Sequence, residues 1–365
     1  MKPVGIGVVG CGNISAAYLT AAEKFPVLDI VALSDANPEA AKARAEEFGH
    51  EARSVEETLA DPAVEIVLNL TVPRAHVEVG LNAIAAGKHV YSEKPLGVTV
   101  AEARKLVEAA VARGLRVGCA PDTFLGGAHQ TARECVDNGM IGRPIGGAAF
   151  FMCPGHERWH PNPGFYYLKG GGPMLDMGPY YLTDLVNLLG PIASVSGLAT
   201  RMRSERFITS EPLNGARIPV EVATHVTGAL LFANGAAVSM TMSFDVPRHK
   251  HVPIELYGET GSLIVPDPNY FGGTIEFASA SEEWREIPVS RAYADGNYRI
   301  LGLADMATAI RMKRKHRASE QLAFHVLEAM EAFQLSSDSG NAVTISTRPE
   351  RPAPLPAGLA VGELD

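Results

Sequence analysis

Chemistry is most strongly suggested at the first turn of the 365-residue chain, where Gly10-Cys11-Gly12-Asn13-Ile14-Ser15 follows an apolar run and leads into a helical stretch. Glycines at a strand-to-helix turn let the backbone approach a pyrophosphate, and the helix N-terminus behind them favours its charge. Gly10, Gly12, Asn13 and Ile14 are therefore candidate cofactor contacts. The usual third glycine is replaced by Ser15, but the next apolar run ends in Asp35, about where an acid accepts hydrogen bonds from an adenosine ribose. Asp35 is followed by Ala36 and Asn37 with no adjacent arginine, so a 2′-phosphate would be repelled and NAD is expected over NADP. The competing view is a glycine-rich turn with a capping aspartate; Cys11 in the turn reads as small filler rather than a nucleophile.

His156-Glu157-Arg158-Trp159-His160 has the HExxH spacing of a zinc hydrolase, which needs both histidines on one helix face. Pro154 and Gly155 before it, and Pro161, Pro163 and Gly164 after it, oppose a regular helix, so no metal is expected. The segment reads instead as a substrate-side loop. His156, Arg158, Trp159, His160, Tyr166 and Tyr167 combine stacking faces with hydrogen-bond donors, as sugar sites do, although a plain packed loop has the same composition. Asp122, after Cys119-Ala120-Pro121, falls where a sixth strand would end, at the edge where ligands bind in such sheets; a surface acid is the alternative. The basic stretch Arg311 to Arg317 reads as a solvated helix end or loop.

These residues need a scaffold, and the chain supplies its pattern. From Val4 to Asp122, the apolar runs VGIGVVG, LDIVALSD, EIVLNLT, HVYSE and RVGCA alternate with amphipathic stretches, as in βα units around a parallel sheet. Asn37-Pro38 opens one helix, Ser54 with Glu57 and Thr99 with Glu102 look like capping boxes, and Gly49, Gly87 and Gly114 close three helices. After Asp122 the pattern changes. Helices are expected near 130–138, 174–189 and 320–335, a strand near 147–153, and an antiparallel sheet between Ile192 and Ile287, with an extended surface tail after Thr347. The expected fold is an N-terminal Rossmann doubly wound parallel sheet (1–122) followed by an α+β substrate and oligomerisation domain (123–365).

Several motifs together resemble the Gfo/Idh/MocA oxidoreductases. They are the GxGxxS start, Thr71-Val72-Pro73 with His76, Glu93-Lys94-Pro95 (placed after the fifth strand), and Gly170-Gly171-Gly172 followed by Asp176 and Gly178. Order and spacing match over most of the chain. The resemblance implies an NAD(P) domain contacted by Thr71, Pro73, His76, Glu93 and Lys94, an open-faced C-terminal sheet used for self-association into a dimer or tetramer, and sugar, cyclitol or related polyol substrates. It further implies that Lys94 touches both the substrate hydroxyl and the cofactor, and that Asp176 orients substrate or a proton relay. One position departs from the family pattern: four residues after Asp176, where a histidine is usual, stands Tyr180. Spacing i, i+4 keeps both on one helix face, and a phenol beside the Lys94 cation is a possible base; Tyr180 and Tyr181 as helix packing is the alternative. Asp184 continues that face, with capping or solvation of the helix as its simple explanation.

Composition narrows the partners. The 32 basic and 41 acidic residues leave a net charge of −9, which disfavours nucleic acid and anionic membranes. No run is apolar enough to span a bilayer, Val4 to Val9 reads as a strand rather than a signal peptide, and four scattered cysteines without a CxxC pair fit a reducing cytosol. The expected activity is hydride transfer between NAD and a secondary alcohol of a sugar, glycoside or cyclitol. Alternatives are an NAD-dependent, redox-neutral glycosidase acting by C3 oxidation and elimination, and a noncatalytic NAD-binding sensor.

Overall fold

The computed structural model describes residues 2–365. Its first part alternates β1 (Val4–Val9), α1 (Ser15–Ala22), β2 (Leu28–Ser34), α2 (Pro38–Phe48), α3 (Val55–Ala60), β3 (Ile66–Asn69), α4 (His76–Ala85), β4 (His89–Ser92), α5 (Val100–Ala112) and β5 (Val117–Cys119). The strands pair in parallel in the order β2-β1-β3-β4-β5. All of β1, β3 and β5 is buried, as a parallel sheet covered on both faces requires. The local stops lie where the sequence puts them. Asn37 caps α2 by accepting from Glu39 N, and Ser54 with Glu57 forms a complete capping box; of the Thr99–Glu102 pair only the Thr99 half is made. The sheet has five strands, so Glu93-Lys94-Pro95 follows the fourth rather than the fifth, and Asp122 follows the fifth rather than a sixth.

The second part contains α6 (Gly127–Asp137), β6 (Pro144–Met152), α7 (Pro173–Leu189), β7 (Ile192–Thr200), the small hairpin β8 (Glu205–Phe207) with β9 (Arg217–Pro219), and β10 (His225–Phe232). There follow β11 (Ala237–Ser243), β12 (Ile254–Gly258), β13 (Gly261–Val265), β14 (Ile275–Ser279), β15 (Glu282–Ile287), α8 (Leu301–Met312), α9 (Glu320–Ser339) and β16 (Val343–Thr344). Nine strands form one mixed sheet, β15-β14-β13-β12-β6-β11-β10-β7-β16, antiparallel except between β6 and β11. Helices α7 and α9 cover one face, burying Val195, Leu230, Val238 and Phe333. Residues of the opposite alternation, Ser196, Leu198, Ala229, Leu231 and Ser239, are exposed.

Two C-terminal expectations change. The stretch Arg311 to Arg317 is a helix end solvated only at Met312, Lys313 and Lys315, because Arg311 pairs with Glu65, and Arg314 and Arg317 converge on Asp305, whose side chain is fully buried. A buried carboxylate needs such partners, and the sequence alone did not reveal helix α8, which carries it. The tail is extended as expected but strapped down. Leu355 is buried, its N–H donates to Gln130, and the Asp365 carboxylate accepts from Arg317.

Candidate active site

The carboxyl end of the first sheet faces the start of α7. Glu93-Lys94-Pro95 leaves β4 directly, and Lys94 Nζ reaches across to Asp176, donating to Oδ1 at 2.9 Å and to the main-chain oxygen at 2.7 Å. Asp176 lies in the first turn of α7. There Gly172 adopts φ +93° and Pro173, already lacking an N–H, opens the helix. Its second oxygen, Oδ2, sits 3.1 Å from His156 Nε2. His156 Nδ1 accepts from the Trp159 indole N–H at 3.2 Å. An indole only donates, so the His156 proton resides on Nε2 and is given to Asp176.

Charge follows from these contacts. Burial pushes the Asp176 carboxyl up, but the Lys94 cation and the His156 hydrogen bond outweigh it and hold the pKa at about 2. Burial pulls Lys94 down, whereas Asp176, Tyr180 and Glu93 carry it well above the ordinary lysine value. The pair is an ammonium–carboxylate pair at neutral pH, and Lys94 is a donor rather than a base.

Tyr180 stands one turn beyond Asp176, with Lys94 Nζ 5.1 Å from its ring centroid. Arg299 Nη1 donates to its hydroxyl at 3.4 Å. Burial raises the phenol and the two cations only partly offset it, so its pKa stays above the ordinary value. Tyr180 is therefore a phenol at neutral pH, its deprotonation eased but not brought down to neutral pH by the Lys94 cation. Tyr166 joins this group, its ring 4.5 Å from His156 and its hydroxyl raised by burial and by Asp176. His160 packs on Tyr166, while Trp159 and Arg158 are exposed at the rim.

Other expected site residues turn away from the cluster. Asp122 is 1% exposed and accepts from Ile300 N and Gly302 N, both at 2.9 Å, so it caps α8 instead of facing substrate. Tyr167 is fully buried with Ile208, Ile218, Val220 and Phe244, its hydroxyl bonded to Glu157. Glu157 also pairs with buried Arg206, which accounts for the failure of the HExxH spacing: His156 and His160 flank a single 3₁₀ turn, not a helix face. No cluster of three metal-ligating side chains occurs among the described residues. His76 is buried with its ring nitrogens 2.7 Å from Pro95 O and 2.9 Å from Thr71 O, and thereby staples the two cofactor-side loops together without projecting from them. Glu93 braces the turn from behind, accepting from Tyr18 at 2.7 Å and Lys94 N at 2.8 Å. Thr71 and Pro73 are partly exposed beside it, with Thr71 donating to Asn69. Asp184 is buried against His129 rather than solvated.

The first turn has the shape a dinucleotide needs. Gly10 adopts φ +105° and a Cβ there would meet the Leu70 carbonyl group at 2.6–2.7 Å, while a Cβ on Gly12 would meet nothing within 4 Å. Gly12 and Asn13 are exposed and Ile14 is half-buried. Ser15, in the third-glycine position, is buried and donates to Gly12 O at 2.6 Å, so its hydroxyl tightens the turn. Asp35 accepts from Cys11 N at 2.7 Å, which places its carboxylate at the lip of the turn. Sequence proximity missed two arginines. Arg44 comes from α2 to donate to Gly12 O at 3.3 Å while paired with Glu47, and Arg299 arrives from 119 residues beyond Tyr180. No local signal marks either one.

A glycine turn with an acid after the second strand, opposed by a sheet-built half that supplies Asp176 and Tyr180, defines a dinucleotide-binding oxidoreductase. Residues 4–120 match the oxidoreductase family NAD-binding Rossmann fold, and residues 129–264 match the GFO/IDH/MocA C-terminal domain. The chain belongs to the GFO/IDH/MocA oxidoreductase family, and its first domain is an NAD-binding one. It is 33% identical over 177 residues to 1,5-anhydro-D-fructose reductase of Ensifer adhaerens, covering 47% of this chain and 52% of that one. It is 30% identical to a dTDP-3,4-didehydro-2,6-dideoxy-alpha-D-glucose 3-reductase of Streptomyces violaceoruber, covering 64% and 67%. Levoglucosan dehydrogenase of Pseudarthrobacter phenanthrenivorans is 24% identical, with 72% and 74% covered. Thus the chain spans about half of the first relative and larger shares of the other two. A solved levoglucosan dehydrogenase in complex with NADH and L-sorbose superposes with TM-score 0.83 at 21% identity, covering 95% of this chain and all of that one. No helix among the described residues is long and apolar enough to cross a membrane.

Proposed function

We propose that this protein moves a hydride between NAD and a secondary alcohol of a sugar, glycoside or cyclitol, with 1–122 holding the cofactor and 123–365 the substrate. The observation that carries it is Lys94 Nζ, from the cofactor part, pinned on Asp176 of the other part beside Tyr180. The names of the three curated relatives given above, each a sugar enzyme, agree with it. Bound NAD supplies a hydride acceptor. The Lys94 ammonium donates to the substrate oxygen and stabilises negative charge as it develops there. Asp176, itself oriented by His156, fixes the Lys94 side chain. Tyr180 receives the hydroxyl proton, and Arg299 with Lys94 favours the phenolate that this requires. Because Tyr180 starts as a phenol, oxidation rises with pH well into the alkaline range. Asp35, facing the ribose position with Arg44 already paired to Glu47, favours NAD over NADP. The exposed sheet face carrying Leu198 and Leu231 is the proposed surface for self-association.

Tyr166 favours a second reaction on the same apparatus, because it brings another acid–base hydroxyl beside Asp176. After C3 oxidation and loss of the C2 proton to a base of the 156–167 loop, the Tyr166 phenol would protonate the departing aglycone oxygen, water would add at C1 with a proton returning to C2, and the hydride would return to C3. Proton NMR in D₂O with catalytic NAD and a panel of sugars, cyclitols and glycosides separates the two. Product in proportion to NADH supports the dehydrogenase, whereas cleavage with deuterium at C2 and no net NADH supports the glycosidase. No reaction with any member would refute both, and a lower Michaelis constant for NADP would refute the cofactor preference.

A further inference from the structure

We infer that the aromatic rings running outward from His156 form a second subsite that takes the flat, apolar aglycone of a glycoside. This rests on the sugar-alcohol function proposed above and specifies its substrate. His156 is the inner end, bonded to Asp176. Its ring lies 4.5 Å from Tyr166 and 5.3 Å from Trp159, Tyr166 lies 4.0 Å from Phe165, and His160 stands 5.3 Å from both Trp159 and Phe165. Five rings thus form one continuous cluster, packed mainly edge to face, from the reacting centre to solvent.

Its outer end is open. Trp159 is 60% exposed and Phe165 43% exposed, and single exposed apolar residues need no explanation, but two at the mouth of a site and joined to it do. Asp176 and Trp159 are joined through hydrogen bonds of 3.1 and 3.2 Å on the two nitrogens of one imidazole, so a sugar held at Lys94 and Asp176 with its anomeric substituent turned outward would meet these rings. At the outer end two ring nitrogens are already engaged. The Trp159 N–H goes to His156, and His160 Nδ1 accepts from Asn162 N. The exposed pair, Trp159 and Phe165, thus offers a second sugar no free side-chain hydrogen-bonding atom, whereas an aryl or similarly flat apolar group needs only the faces. The Trp159 bond to His156 also fixes the indole before ligand arrives, which reduces the ordering cost of stacking.

The test uses the NAD-loaded full chain with Trp284→Phe, which leaves Trp159 as the single indole. Its fluorescence is titrated with matched methyl and phenyl β-D-glucosides, galactosides and xylosides, and turnover of each is followed alongside. For at least one pair the phenyl glycoside should bind about 10-fold more tightly than the methyl one. Phe165→Ala should remove most of that advantage while changing the methyl glycoside's KM less than about 2-fold. Equal affinities within every pair, or an advantage that survives Phe165→Ala, would overturn the subsite and leave the sugar chemistry standing if methyl glycosides turn over. Tight phenyl binding without hydride transfer from any glycoside would overturn the reaction and leave the subsite. Binding of no glycoside at all would overturn both.

Discussion

Helix α7 carries two carboxylate–histidine pairs, and they differ in almost everything except composition. Asp176 meets His156 at 3.1 Å in the first turn, and Asp184, two turns on, meets His129 at 2.8 Å. The first pair has a third member, Lys94 from the other half of the molecule, and keeps some solvent access, with side chains 11–16% exposed. The second is sealed, with both side chains at 0% exposure, His129 also bonded to Tyr270 O and Asp184 to Asn187. Burial pulls His129 down, but Asp184 carries it above the ordinary histidine value. Identical side chains thus join a cation in a three-membered cluster in one place and form a buried tie between α6 and α7 in the other. What separates them is access and a cation from another segment.

Breaking the first pair's third member should have the largest effect. Lys94→Ala removes the donor at the substrate oxygen and should lower kcat on the order of 10⁴-fold while NAD affinity, read by calorimetry, stays within a few-fold. Near-normal turnover would end the assignment of Lys94. Tyr180→Phe should lower kcat by about 10²-fold and abolish the rise of activity with alkaline pH. If the rise persists, the proton goes elsewhere. Asp184→Asn should leave kcat within about 2-fold yet cost about 3–5 kcal/mol of stability, as breaking a buried pair does.

The pH dependence sharpens the contrast, because the two pairs act in opposite directions. A raised His129 contributes stability that is complete below its unfolded value and is lost as pH rises through its folded value. The deficit of Asp184→Asn in chemical denaturation should therefore shrink toward alkaline pH. Asp176, held at about 2, contributes stability that is complete above the unfolded carboxyl value and is lost as pH falls toward 2. A deficit for Asp184→Asn that grows with pH would show that His129 is not the charged partner.

The residues themselves determined the parts of this protein that follow from local rules. The glycine turn, the acid after the second strand, the caps at Asn37 and Ser54 and the alternation of the later strands depend on backbone conformation and period, which neighbours in sequence dictate. Family resemblance added Lys94 and Asp176, and the tertiary structure brought them into contact across 82 residues of chain. Only that structure decided the rest. Asp122 became a cap because α8 begins 178 residues later at its carboxylate, Tyr167 was drawn into a minor core, and Arg299 and Arg44 arrived beside Tyr180 and Gly12 from distant segments. Whether a polar side chain faces a cleft or a core depends on which remote groups satisfy it. Burial makes those partners obligatory, and spacing along the chain does not encode them.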